Sequence, residues 1–157
     1  MRIITEETIA RLLSRALASP RKRTNLNLHA ELSDSTNRFL NAGAGTYVRP
    51  HRHRMGKWEL LSVVQGTVDV ITFSADGAVE KRVSLSAVAA NPVVEISGGE
   101  WHSIVFRAPG AVVLEIKPGP YQPLLDKEFA NWAPPENDPA APSFVARLEV
   151  AAVGERA

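Results

Sequence analysis

The chain has 157 residues, a formal net charge of +1 and no cysteine. That length suits one domain with its own core, and the near-neutral charge argues against a nucleic-acid or membrane-surface partner. Without thiols there are no disulfides, thiolate metal ligands or cysteine nucleophiles. The longest apolar runs, 87–90 and 111–114, are far too short to span a bilayer. Residues 1–19 carry Glu6, Glu7, Arg11 and Arg15 and do not read as a secretory signal. A cytoplasmic protein fits these features.

The first element reads as a helix. Thr5 is a suitable N-cap, and Glu6 and Glu7 favour the positive end of the helix dipole. Ile9, Leu12, Leu13, Ala16 and Leu17 recur at helical spacing, and Pro20 ends the run. After a basic, polar stretch, residues 25–29 alternate like a strand, which would set Asn25, Asn27 and His29 on one face.

From 38 to 117 the chain is rich in Val, Ile, Thr and aromatic residues, with frequent glycine breaks. The spacing predicts strands over 38–40, 46–53, 58–65, 67–73, 80–85, 93–96, 102–107 and 112–116. Gly66, Asp76-Gly77 and Pro109-Gly110 mark turns. So many short antiparallel strands predict a sandwich or barrel. The last part, 118–157, is rich in proline but keeps Tyr121, Leu124, Leu125, Phe129 and Trp132 as anchors, so it reads as an ordered tail. A short helix over 143–150 would bury Phe144, Val145 and Leu148. The expected organisation is an N-terminal helix and polar segment over 1–37, a β-barrel over 38–117 and a tail with a short helix over 118–157.

Three of the four histidines suggest chemistry. On an extended strand, His51 and His53 point to one face, together with Tyr47 and Arg49. Glu59 opens the next strand, whose Leu61, Val63 and Gln65 would line the same interior, and His102 shares a face with Ile104 and Phe106. Three imidazoles and a carboxylate suit one divalent first-row transition metal, Fe, Mn, Ni or Zn, with room for water or substrate. Glu59 could instead be a solvated charge at a strand end. Arg49 would grip an anionic group or form an internal salt bridge. Tyr47 and His29 are candidate proton carriers, Tyr47 having packing as its plainer role. Asn25 and Asn27 are candidate substrate contacts.

The spacing resembles the cupin superfamily. Gly45, five residues, His51-Arg52-His53, a five-residue spacer, Glu59, six residues and Gly66 follow its first motif, with a slightly long spacer. Ser97-Gly98-Gly99, two residues and His102 follow its second, with Phe106 in place of the usual Asn. The resemblance implies a β-jelly roll with His51, His53, Glu59 and His102 as metal ligands. The words Asn25-Leu26-Asn27-Leu28-His29, Lys57-Trp58-Glu59, Lys117-Pro118-Gly119-Pro120-Tyr121 and Asp126-Lys127-Glu128-Phe129-Ala130-Asn131-Trp132 are similar to the WbuC family, small bacterial cupin metalloproteins. That similarity implies a link to O-antigen biosynthesis but no established reaction.

The expected activity is Lewis-acid chemistry on a small polar metabolite such as an anionic or sugar-like molecule: isomerisation, epimerisation or elimination. Two alternatives are an Fe(II)-dependent dioxygenase and a non-enzymatic ligand-binding or sensing module. A homodimer is expected because the edges of such sheets need covering.

Overall fold

The computed structural model describes residues 1–88, 91–122 and 126–157. The expected anchors Leu124 and Leu125, and the end of the 87–90 apolar run, lie outside the described residues. Helix α1 spans Glu6–Ala18, and the Thr5 side chain accepts a hydrogen bond from the Thr8 amide at 3.3 Å. Ten strands follow among the described residues: β1 (Arg23–Asn27), β2 (Thr36–Gly43), β3 (His51–Arg52), β4 (Glu59–Gln65), β5 (Thr67–Phe73), β6 (Val79–Ser86), β7 (Val93–Ile96), β8 (Trp101–Phe106), β9 (Ala111–Pro118) and β10 (Glu128–Phe129). Helix α2 spans Ala141–Val150.

The strands make two five-stranded sheets, ordered β1-β2-β9-β4-β7 and β10-β3-β8-β5-β6, with every pairing between them antiparallel. Alternation decides what each strand buries. On β9, Val112 and Leu114 face α1, where they meet Leu12, Ala16, Leu40 and Ala42. Ala111 and Val113 face inward and join Leu61, Val63, Val68, Val70, Ile104 and Phe106 in the barrel core. The second sheet's outer face carries Ile71, Phe73 and Val105, which α2 covers with Phe144 and Leu148. Each sheet thus has a helix on its outer face, and the interior is apolar at one end.

Leu17 departs from the expected helix face: it is 45% exposed, while its neighbour Ala16 is fully buried. Gln65 was expected inside the barrel but is exposed, since a register shift between Val63 and Gln65 breaks the alternation on β4. Gly66 adopts a φ of +79°, and a Cβ there would run into the Gly110 carbonyl, so only glycine makes this turn cleanly.

Candidate metal centre

Strand β3 is only two residues long, yet it decides the site. His51 pairs directly across from His102 on β8, which brings their rings to 4.4 Å between centroids, tilted by 59°. His53 follows just after β3, and Glu59 is the first residue of β4. Between them the chain turns tightly at Gly56. A Cβ on Gly98 would come within 2.8 Å of the Gly56 and Lys57 amides, so glycine in the second motif lets the two loops meet. His51, His53, Glu59 and His102 are all buried, and their ligand atoms lie within 4.8 Å of one another.

The imidazole tautomers follow from their partners. Nδ1–H of His51 donates to the Arg49 carbonyl at 2.9 Å, that of His102 to the Glu100 carbonyl at 2.9 Å, and that of His53 to the Asp126 carbonyl. Each ring therefore turns an Nε2 lone pair toward the common centre. All three Nε2 atoms are buried with no hydrogen-bond partner among the described residues. Glu59 Oε2 lies 3.2 Å from Nε2 of His102 and 3.7 Å from that of His53. Three unpartnered buried lone pairs around a carboxylate form a costly arrangement for a protein by itself. They form a fitting donor set for a divalent first-row ion.

Electrostatics favours the ligating forms. Burial, helped by the charge of Lys127 and by His102, holds His51 well below its ordinary value, so the ring is neutral. For Glu59 burial opposes ionisation, but hydrogen bonds from His102 and His53, given when those rings carry Nε2–H, and the charge of Lys117 outweigh it and keep the carboxyl well below its ordinary value. Lys117 sits 3.8 Å from Glu59 Oε1, 2.7 Å from Glu115 Oε1 and 3.9 Å from Asp126 Oδ2. Burial works against its charge, yet Glu115 and Glu59 hold it above the ordinary lysine value. Lys57 pairs with the Asp126 carboxylate.

This ionic network was not singled out as functional in the sequence. The signal available was Glu115 and Lys117, two residues apart on one face of an otherwise apolar strand. Asp126 could not be found that way, because its role depends on a tail that returns from far along the chain.

The structure separates the remaining candidates. Asn25 and Asn27 lie on the concave side of β1, joined by a 2.7 Å amide hydrogen bond. They line an outer cavity of about 410 Å³, which shares Arg21, Arg23, Asn25, Asn41, Glu115 and Lys127 with an inner cavity of about 190 Å³ reaching His51 and Glu59. His29 does not join their face, because β1 ends at Asn27. Its ring is buried edge-on to Phe39, Nδ1 accepts from the Arg38 amide at 3.0 Å, and it lines neither cavity.

Tyr47 and Arg49 were expected on the ligand face and are not there. Residues 46–50 form no regular strand, and alternation with His51 is lost at Pro50. Val48 packs into the barrel core instead. Tyr47 packs against Phe144, and its hydroxyl donates to the Pro134 carbonyl at 2.9 Å. Burial pushes its phenol well above the usual value, so it stays protonated. Arg49 donates to the carbonyls of Ala133 at 3.0 Å and Ala130 at 2.8 Å. Both residues fasten the tail.

A family model described as a domain of unknown function, DUF6016, matches residues 4–85, just over half of the chain. The chain belongs to the DUF6016 family. The matched segment runs from α1 into β6 and contains His51, His53 and Glu59, while His102 lies beyond it. No curated protein matches this DUF6016 chain in sequence.

Solved structures resemble its fold. The capsular polysaccharide assembling protein CapF from Staphylococcus aureus superposes with a TM-score of 0.57 at 19% identity, covering 71% of this chain and 32% of that one. L-ribose isomerase from Cellulomonas parahominis gives 0.55 at 16% identity, over 71% of this chain and 70% of that one. An oxalate oxidase gives 0.54 at 14% identity, over 71% and 57%. The DUF6016 chain thus spans about a third of CapF and under two thirds of the oxalate oxidase. At these identities the likeness concerns architecture alone, a cupin-type fold of two antiparallel sheets. No helix among the described residues is long and apolar enough to cross a membrane.

Proposed function

We propose that this protein is a metal-dependent enzyme acting on a small polar metabolite, with His51, His53, Glu59 and His102 holding one divalent first-row ion. The observation that carries the reading is the set of three buried Nε2 atoms. Each is aimed by an Nδ1–H bond to a backbone carbonyl, and none has a partner among the described residues. A bound ion would polarise a carbonyl or hydroxyl oxygen of the substrate and so favour isomerisation, epimerisation or elimination.

The chain's own residues supply the rest. The Lys117 ammonium helps to hold Glu59 ionised, and all four side chains of the cluster are buried. Asn25 and Asn27 offer amides to substrate hydroxyls. The names of two structural neighbours agree with this class: one is a sugar isomerase, the other a capsular polysaccharide assembling protein. We extend the reading to the WbuC family and to surface-polysaccharide biosynthesis, on the motif words of the sequence. It also includes a cytoplasmic homodimer whose contact covers the β7 edge, where Val93 is exposed.

The test is elemental analysis of the purified protein, followed by proton NMR of candidate sugars incubated with the Mn-, Ni-, Zn- and Fe-loaded forms. Exchange or epimerisation at a sugar carbon, lost in His51→Ala, is expected. Oxygen consumption with iron alone would replace this reading with the oxygenase. Tight binding without turnover would replace it with a binding module.

A further inference from the structure

Positive charge dominates the walls of the two joined cavities. Arg21, Arg23 and Lys127 line both and Lys117 the outer one, against two lining carboxylates, Glu59 and Glu115. Both carboxylates are engaged. Glu59 faces the imidazoles and Lys117, while Glu115 accepts from the Asn41 amide at 2.6 Å and pairs with Lys117. Glu136, from the tail, serves Arg21 and Arg23 together, with Arg21 donating to its two oxygens at 3.0 Å each. One carboxylate thus answers two guanidinium groups, and the Arg21 side chain remains 61% exposed. An ion at the histidine cluster would enlarge the positive excess. Arg49, the anion grip expected from sequence, has spent its donors on the tail carbonyls.

We infer that Arg21 and Lys127 form an anion-binding subsite at the cavity mouth, with Arg23 held behind them by Thr46, the Tyr47 carbonyl and Glu136. Its ligand is a small polyhydroxylated carboxylate or phosphate whose far oxygen reaches the His51–Glu59 end. This rests on the metal reading above and names its substrate class. The charged groups at the mouth take the anion: Arg21 spends Nε and Nη2 on Glu136, which leaves its Nη1 and the Lys127 ammonium as charged donors. Asn25, Asn27 and Asn41 supply uncharged donors and acceptors along the way, as a polyol requires. The inner cavity, with Ile104 and Phe106 in its wall, excludes a bulky group, so the charged end stays outside.

The experiment uses three six-carbon probes that differ at one end: D-gluconate, D-glucitol 6-phosphate and neutral D-glucitol. Binding is measured calorimetrically with the Zn-loaded protein and with R21Q, K127Q and the double variant, and zinc content is determined for each. At least one anion binds about tenfold or more tightly than glucitol, as one charge-assisted contact requires, and the better anion identifies the class. Both single variants keep their zinc and lose most of that preference, and the double variant loses it entirely. A preference that survives in the double variant belongs to the metal and overturns the subsite. Equal binding of the three probes, or none, overturns it as well while zinc retention leaves the metal site standing. A chain that takes up no zinc or other divalent ion removes the metal reading itself.

Discussion

The sharpest consequence of a preformed site is its effect on stability. Because the imidazoles are already aimed by backbone carbonyls, an ion binds the folded state with little rearrangement and has few equivalent ligand sets in the unfolded chain. At an ion concentration about a hundredfold above Kd, linkage adds about 2.7 kcal/mol to the folded state. For a chain of this size that raises Tm by about 5–11 °C, at about 2–4 °C per kcal/mol. His51→Ala removes one of four ligands, which should cost more than the about 10–100-fold penalty for losing a supporting partner. A hundredfold loss leaves only about 0.4 kcal/mol, or about 1–2 °C, at the same ion concentration. Differential scanning calorimetry of stripped protein, titrated with Mn, Ni, Zn and anaerobic Fe(II), reads both values. An unmoved wild-type transition with every ion, or an equal shift in His51→Ala, would refute the argument that the four side chains act as one site.

Other parts of the structure make independent predictions. Lys117→Met leaves Glu59 and Glu115 buried without their cation, and should cost about 3–5 kcal/mol in urea denaturation. Metal-stripped protein should lose stability as pH falls below about 6.5, because His51 is depressed in the fold and the unfolded chain takes its proton first; thermal midpoints from pH 8 to 5 test the sign. Asp69 and Glu136 also matter in acid. Burial opposes their ionisation, but Arg107 and Arg82 on Asp69, and Arg21 and Arg23 on Glu136, hold both below their ordinary values. Their contribution is full above the unfolded carboxyl values and is lost as pH falls through the lower folded ones, and the Glu136→Gln variant should flatten that acid limb. Tyr47→Phe should cost about 0.5–1.5 kcal/mol through the lost bond to Pro134, with no change in metal affinity by competition titration.

Local chemistry made much of this protein legible from its sequence. Thr5 and Pro20 bounded α1 and glycines marked the turns. The His-x-His, Glu and downstream His spacing named four side chains that the fold brings within 4.8 Å. Alternation also found the Asn25 and Asn27 face, because β1 is regular over those residues. The same rule failed for Tyr47, Arg49 and His29, where the backbone leaves the strand and side-chain direction no longer follows parity. Three further features came only from tertiary structure. The tail returns to give His53 its carbonyl partner at Asp126, Lys117 is buried among three carboxylates, and Glu136 is set behind Arg21 and Arg23. Each joins residues distant in the chain, and such contacts depend on how the sheets close and where the tail lies against them, which no local pattern encodes.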